Sequence, residues 1–176
     1  YLDNATWRAR GKLFQTDKLP SNFLNIGYIL HALPGAKIIH MSRDPVETCF
    51  SNLRELFSGV NLYEYRLDEL ADYYLQYMRL MEYWNSIHGD RILNVKYSEL
   101  VDDPESVMRR VAEFCGIAYC DEMRDPRNNN NAVNTASVVQ VRSAVRRESK
   151  PKWAPYGEKL QPLIDRLQQG GVRITQ

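Results

Sequence analysis

Ile38-Ile39-His40-Met41-Ser42-Arg43-Asp44-Pro45-Val46-Glu47-Thr48-Cys49-Phe50-Ser51 reads as a short buried strand, a charged corner and a helix that opens on a proline. A Pro34-Gly35 turn precedes it, and the apolar run from Ala36 to Met41 has the length of an interior strand. Asp44 suits a helix N-cap, and Pro45 suits the first helical position, where its missing N–H would have no partner anyway. Val46, Cys49, Phe50, Leu53 and Phe57 then recur at helical spacing, which predicts a helix from Pro45 to about Phe57 burying that face. Arg43 is left at the carboxyl end of the strand. Ser51 falls two turns into the helix, on the face of Asp44 and Glu47 or Thr48. An arginine and a serine aimed at one crevice beside a helix N-terminus make a phosphate site. Taken alone, the same residues also fit a capping ion pair between Arg43 and Asp44 with Ser51 merely solvated.

Working outward, Leu13 to Asp17 looks like a strand, closed by Pro20 and followed by helical periodicity through Phe23, Leu24, Ile26, Gly27 and Leu30. A long helix is predicted from about Asp68 to Ile87, with Leu70, Tyr74, Tyr77, Met81 and Trp84 as its buried stripe and Gly89 ending it. Arg91 to Tyr97 reads as a third strand. Asp103-Pro104 starts another helix, which carries Val107, Val111 and Phe114 and closes at Gly116. Beyond Ile117 the pattern predicts a loop through the asparagines, a helix near 137–145 and a last helix near 158–168. Helices separating short strands predict an α/β fold with a parallel sheet and right-handed crossovers. Lys18, Arg43 and Tyr97 then stand at the ends of three strands, on the carboxyl edge where open α/β sheets bind ligands.

The 176 residues, 44% of them hydrophobic, suffice for one domain with a real core. Lys and Arg number 23 against 22 Asp and Glu, a formal charge of +1 that gives no general support for nucleic-acid or membrane binding. No apolar stretch approaches the roughly 20 residues needed to cross a bilayer, and no signal-peptide pattern opens the chain. Cys49, Cys115 and Cys120 are odd in number and sit among apolar residues, so reduced core cysteines and a cytoplasmic location are expected. His31, His40 and His88 lack ligand spacing, and Cys115-x4-Cys120 has no second pair, so no metal site is predicted. The aromatic run from Tyr73 to Trp84 reads as a buried helix face. Arg142, Arg146, Arg147, Lys150 and Lys152 form one locally basic region, explained by solvation or by an anionic donor nearby.

Arg43-Asp44-Pro45 followed by Ser51 resembles the 3′-phosphate motif of sulfotransferases that use 3′-phosphoadenosine 5′-phosphosulfate (PAPS). The resemblance continues in the family's order over about residues 10–165. Thr16-Asp17-Lys18-Leu19-Pro20-Ser21-Asn22-Phe23 is similar to the catalytic-lysine segment of tetratricopeptide-linked members related to tyrosylprotein sulfotransferases. Val95-Lys96-Tyr97-Ser98-Glu99-Leu100 with Asp103-Pro104 resembles a Tyr-Glu-Asp-Leu segment whose tyrosine lies near the nucleotide. Asn134 to Arg142, with Ser137, resembles the late loop that closes over the donor, and Ser149 with Lys152-Trp153 the element after it. The resemblance implies a P-loop NTPase-like, three-layer fold in which a parallel sheet is flanked by helices. It implies Lys18 and Ser137 as catalytic residues, Arg43, Ser51, Tyr97 and Lys152 as nucleotide-binding residues, and PAPS as cosubstrate without a metal.

One family element has no counterpart. A glycine-rich loop wrapping the 5′-phosphosulfate is not found, and the nine glycines are scattered. The chain, which begins at Tyr1 rather than methionine, is therefore expected to be the carboxyl-terminal two-thirds of a sulfotransferase domain spanning 1–176, with the amino-terminal part missing. The implied activity is sulfuryl transfer from PAPS to an unidentified acceptor hydroxyl or amine in a full-length parent, the chain itself being inactive. A catalytically silent fragment or nucleotide-binding module is the alternative. A nucleotide kinase, similar in fold, fits the phosphate motif and the Ser137 segment less well.

Overall fold

A computed structural model describes residues 11–54, 66–125 and 151–174. It is mixed α/β, mostly helical around a small parallel sheet. In chain order the regular elements are α1 (Ile26–Ala32), β1 (Ile38–Ser42), α2 (Pro45–Arg54), α3 (Leu67–His88), β2 (Ile92–Lys96), α4 (Tyr97–Asp102), α5 (Pro104–Cys115) and α6 (Gly157–Gln169). A 3-10 turn at Pro20–Asn25 leads into α1, and another at Ala154–Tyr156 leads into α6.

β1 and β2 pair in parallel, with Ile38 opposite Ile92 and Ser42 opposite Lys96. A parallel pair cannot be closed by a tight turn. Here the crossover runs through α2 and α3, as the alternation of strand and helix predicts. α3 is 22 residues long and carries most of the core. Its first half buries Leu70, Ala71, Tyr74 and Leu75 against Val46 and Cys49 of α2 and Leu163 and Leu167 of α6. Its second half buries Met81 with Ile26 and Leu30 of α1 and Ile92 of β2. The stripe anticipated from sequence is thus the one that packs. Val95, fully buried, points to the opposite sheet face, where α5 lies against β2.

Helix ends follow the residues that favour them. The Asp103 carboxylate accepts the Ser106 N–H at 3.0 Å, Pro104 takes the first helical position, and Gly116 ends α5 at φ 68°. Arg91 staples the turn before β1 by donating to the carbonyls of Leu30, Leu33 and Ala36 at 3.0–3.2 Å. Those carbonyls lie at and beyond the carboxyl end of α1, where helical partners have run out.

Three expectations are corrected. Residues 13–17 form no strand, and the segment from Leu13 to Leu19 is exposed, with Leu13 95% accessible. A strand exists only by pairing, and the sheet among the described residues contains β1 and β2 alone. Lys18 consequently does not stand at a strand end. Cys120 is exposed rather than core, whereas Cys49 is buried and all three cysteines are free. Of the helix predicted to about Phe57, α2 is seen to Arg54, and the rest lies outside the described residues, as does the helix expected near 137–145.

Two substitutions test this packing. At Gly27 an added Cβ would stand 2.8 Å from the Trp84 ring, which is itself fixed by its indole N–H donating to the Phe23 carbonyl at 2.9 Å. Gly27→Ala is expected to lower stability by about 1–2 kcal/mol despite alanine's better helix propensity, since overpacking a fixed ring outweighs that gain. Urea unfolding showing a stabilised variant would contradict the close approach. Arg91→Lys is expected to cost about 1–2 kcal/mol in the same measurement, because an ammonium cannot reproduce the guanidinium's fork over several carbonyls. Unchanged stability would mean that the staple is dispensable.

Candidate functional site

Both strands end at one edge, and the charged corner read from sequence lies there. The Asp44 carboxylate accepts the Glu47 N–H at 2.8 Å, and the Asp44 carbonyl accepts the Thr48 N–H at 2.9 Å and the Thr48 hydroxyl at 2.8 Å. Asp44 is therefore the N-cap expected of it. The cap also has a consequence for ligand binding: the Glu47 N–H is already taken by a carboxylate. An anion at this corner must be held chiefly by side chains, and the helix N-terminus alone is a poorer phosphate cradle than the sequence suggested.

Arg43 does not pair with Asp44 as a simple capping ion pair would have it. Its Nη2 donates to the Glu47 carboxylate at 3.1 Å. The guanidinium also lies over the Tyr97 ring, 5.4 Å from the centroid. Tyr97 opens α4 directly after β2, so this contact joins the exits of the two strands. The Arg43 side chain is 39% exposed and that of Glu47 10% exposed. One Nη is held by Glu47, and the side chain is still partly exposed at the end of β1. A guanidinium in this state can donate to a phosphate or sulfate oxygen.

Of the remaining predicted residues, Ser51 is exposed on α2, one helical turn past Glu47. Lys152 is exposed in the turn before the Ala154–Tyr156 segment. That segment leans on α2: Trp153 packs against the cluster containing Val46 and Cys49, and the Tyr156 ring stands 5.3 Å from Phe50. The helix that begins at the charged corner is thus shared by the Ser51 and Lys152 regions. Lys18 lies in the exposed segment ahead of the Pro20–Asn25 turn, and Ser137 falls outside the described residues. The structure brings Arg43 and Tyr97 together; it gives no contact joining Lys18 to them.

Two features escaped the sequence reading. One is Glu47, to which the motif assigns no role, although D-x-x-E at a helix start is a recognisable capping pattern. The other is a chain of polar groups behind the edge. The Tyr77 hydroxyl donates to Nε2 of His40, whose Nδ1–H donates to the Asn94 side-chain oxygen at 2.7 Å. The Asn94 amide donates to Asn85 at 2.7 Å, and the Asn85 amide to the Met81 carbonyl, also at 2.7 Å. Burial pushes the Tyr77 hydroxyl up to about 12, so it remains a proton donor at neutral pH. These bonds tie β1, β2 and α3 together, with His40 three residues before Arg43 and Asn94 three before Tyr97. Nothing in hydrophobic periodicity signals them.

Cys49 lies in the same helix as Ser51 but is no nucleophile. Burial, with the Asp44 charge adding to it, pushes its thiol up to about 12. Among the described residues no group of three or more His, Cys, Asp or Glu is arranged to hold a metal ion, and no helix is long and apolar enough to cross a membrane.

Comparison with known proteins agrees with the resemblance to sulfotransferases at the level of the family. A family model described as "Sulfotransferase family" matches residues 1–121, a span containing Lys18, Arg43, Ser51 and Tyr97. A protein of Aquifex aeolicus described only as uncharacterized is 33% identical over 161 residues, 90% of this chain and 21% of its own length. Omega-hydroxy-beta-dihydromenaquinone-9 sulfotransferase Stf3 of Mycobacterium bovis is 29% identical over 108 residues, 57% of this chain and 28% of that protein. Its counterpart in Mycobacterium tuberculosis matches equally. The chain thus spans between a fifth and a third of the length of these relatives. With the family match covering residues 1–121 of 176 and the Arg43-Asp44-Pro45 corner at the carboxyl edge of a parallel sheet, the chain belongs to the sulfotransferase family.

Proposed function

We propose that the protein transfers a sulfuryl group from PAPS to an acceptor hydroxyl or amine, and that this chain supplies the 3′-phosphate side of the donor site. The observation that carries the reading is Arg43, held between Glu47 and Tyr97 with part of its guanidinium open at the sheet's carboxyl edge. Its donor set fits a phosphate of the cosubstrate, which carries the sulfuryl group on its 5′ side when bound. Arg43 and Ser51 bind the 3′-phosphate, Tyr97 lies alongside the nucleotide, and Lys152 adds positive charge from the segment leaning on α2. Binding energy gathered this far from the reacting sulfur aligns the transfer and lowers its barrier.

Lys18 has the role of meeting charge as it develops on the departing oxygen, in line with the likeness of its segment to tetratricopeptide-linked members. Its exposed position in a segment without regular structure is compatible with approach to a bound donor. Ser137 belongs to the closing loop in this reading. The 5′-phosphosulfate needs N–H donors already in place as charge builds, and this chain's scattered glycines offer no cluster for them. Those donors, and the base activating the acceptor, belong to residues outside this chain. The same observation favours a second reading, in which the 176 residues by themselves are a silent nucleotide-binding module.

Adenosine 3′,5′-bisphosphate is expected to bind the full-length protein, and Arg43→Ala to weaken it roughly tenfold or more by removing a charge-assisted contact. Calorimetry giving adenosine 5′-phosphate the same affinity in the unaltered protein would rule out a 3′-phosphate site at Arg43. Residues 1–176 alone are expected to transfer no radiolabelled sulfate to phenolic or carbohydrate acceptors, whereas a polypeptide extended upstream does. In the extended protein Lys18→Ala should lower turnover by roughly a hundredfold while changing bisphosphate binding much less, since the contact strengthens as the bond breaks. Undiminished turnover would remove Lys18 from the mechanism, and transfer by the 176 residues would refute the division of the site.

A further inference from the structure

We propose that Glu47 is a positioning residue for the anion site, fixing the Arg43 guanidinium so that its remaining donors face the 3′-phosphate. The inference rests on the reading of Arg43 given above and adds a residue to that site. Glu47 is the buried charged residue among those described, 7% exposed, and its carboxylate accepts from Arg43 at 3.1 Å. At the third position of a helix capped by Asp44, a glutamate ordinarily reaches back to the N-cap N–H and completes a reciprocal box. Here Asp44 takes the Glu47 N–H, while the Glu47 carboxylate turns to the arginine that precedes the cap.

Stability alone gives little reason for this arrangement. Burying a carboxylate is costly, and an apolar residue of similar size commonly serves a core as well as or better than a buried ion pair. What the pair does supply is direction. A free arginine side chain samples many rotamers, and holding one Nη while the Tyr97 ring covers a face removes most of them before a ligand arrives. Among the described residues, the hydrogen bond to Glu47 engages Nη2 and leaves Nε–H and Nη1 without a hydrogen-bond partner. It also places a negative charge beside the anion site, so a neutral acceptor of the same length should hold Arg43 without opposing the phosphate.

The test is the affinity of the full-length protein for adenosine 3′,5′-bisphosphate divided by its affinity for adenosine 5′-phosphate. This ratio reports the 3′-phosphate contact and is unmoved by a general loss of stability. Glu47→Ala and Glu47→Asp, the latter withdrawing the carboxylate by one methylene, are expected to lower the ratio roughly fivefold to tenfold. Affinity for adenosine 5′-phosphate should stay unchanged. Glu47→Gln, equal in length and still able to accept from Arg43, is expected to keep the ratio within about threefold of the unaltered protein or raise it. If Glu47→Ala does not fold, Glu47→Asp against Glu47→Gln decides on the same measurement. A ratio preserved in Glu47→Asp but lost in Arg43→Ala overturns the positioning role and leaves the anion site standing. A ratio preserved in Arg43→Ala overturns the anion site, and this inference with it.

Discussion

Burial of one stripe on α3 holds this structure together. Leu70, Tyr74 and Met81 lie along it, with Tyr77 packed against the clusters at both ends. α2 and α6 close over its first half, α1 and the sheet over its second. The two parallel strands seen among the described residues have little stability of their own, and they persist here because α3 packs on one of their faces. The position of the charged corner follows from this. β1 is set by α3, and Arg43 emerges where β1 stops.

The corner joins two kinds of interaction that a purely apolar core would not supply. Behind it, Tyr77, His40, Asn94 and Asn85 satisfy one another in a chain that locks strand to helix at defined atoms. Hydrophobic packing tolerates slippage, whereas hydrogen bonds between specific side chains fix register. In front of it, Arg43 lies between a buried carboxylate and an aromatic ring. The first set holds the strand in place and the second orients the cation. A phosphate-binding arginine needs both, because a charged group that is free to wander contributes mainly entropy to be lost on binding.

Family membership and chemistry stand on different footing in this chain. The match over residues 1–121 establishes the family. The relatives are much longer than the segments aligned, 21% and 28% of their lengths, and a sulfuryl-transfer site needs contributions that lie outside those segments in the reading adopted here. What Stf3 acts on belongs to that protein. In the proposal made for Arg43, this chain contributes donor-binding residues to that site.

Local signals were legible wherever a residue's role depends on its immediate neighbours. Asp44-Pro45 and Asp103-Pro104 announced two helix starts, Gly116 a helix end, and the spacing of Leu70, Tyr74 and Met81 the face of α3. Each of these is decided by backbone geometry within one or two turns. The same logic failed at Leu13 to Asp17, where a strand-like pattern formed no strand, because pairing is a property of two segments and no sequence window contains the second. It was silent at Glu47, whose carboxylate accepts from Arg43, a contact that the sequence reading did not assign. The sequence by itself determined the two paired strands, the motif at Arg43 and the helices other than α4, whose Tyr97 it placed at a strand end. Only the tertiary structure decided that Tyr97 would cover Arg43 and that His40 would meet Tyr77 and Asn94, since those contacts join residues 37 and 54 positions apart and exist only once α3 has brought the strands together.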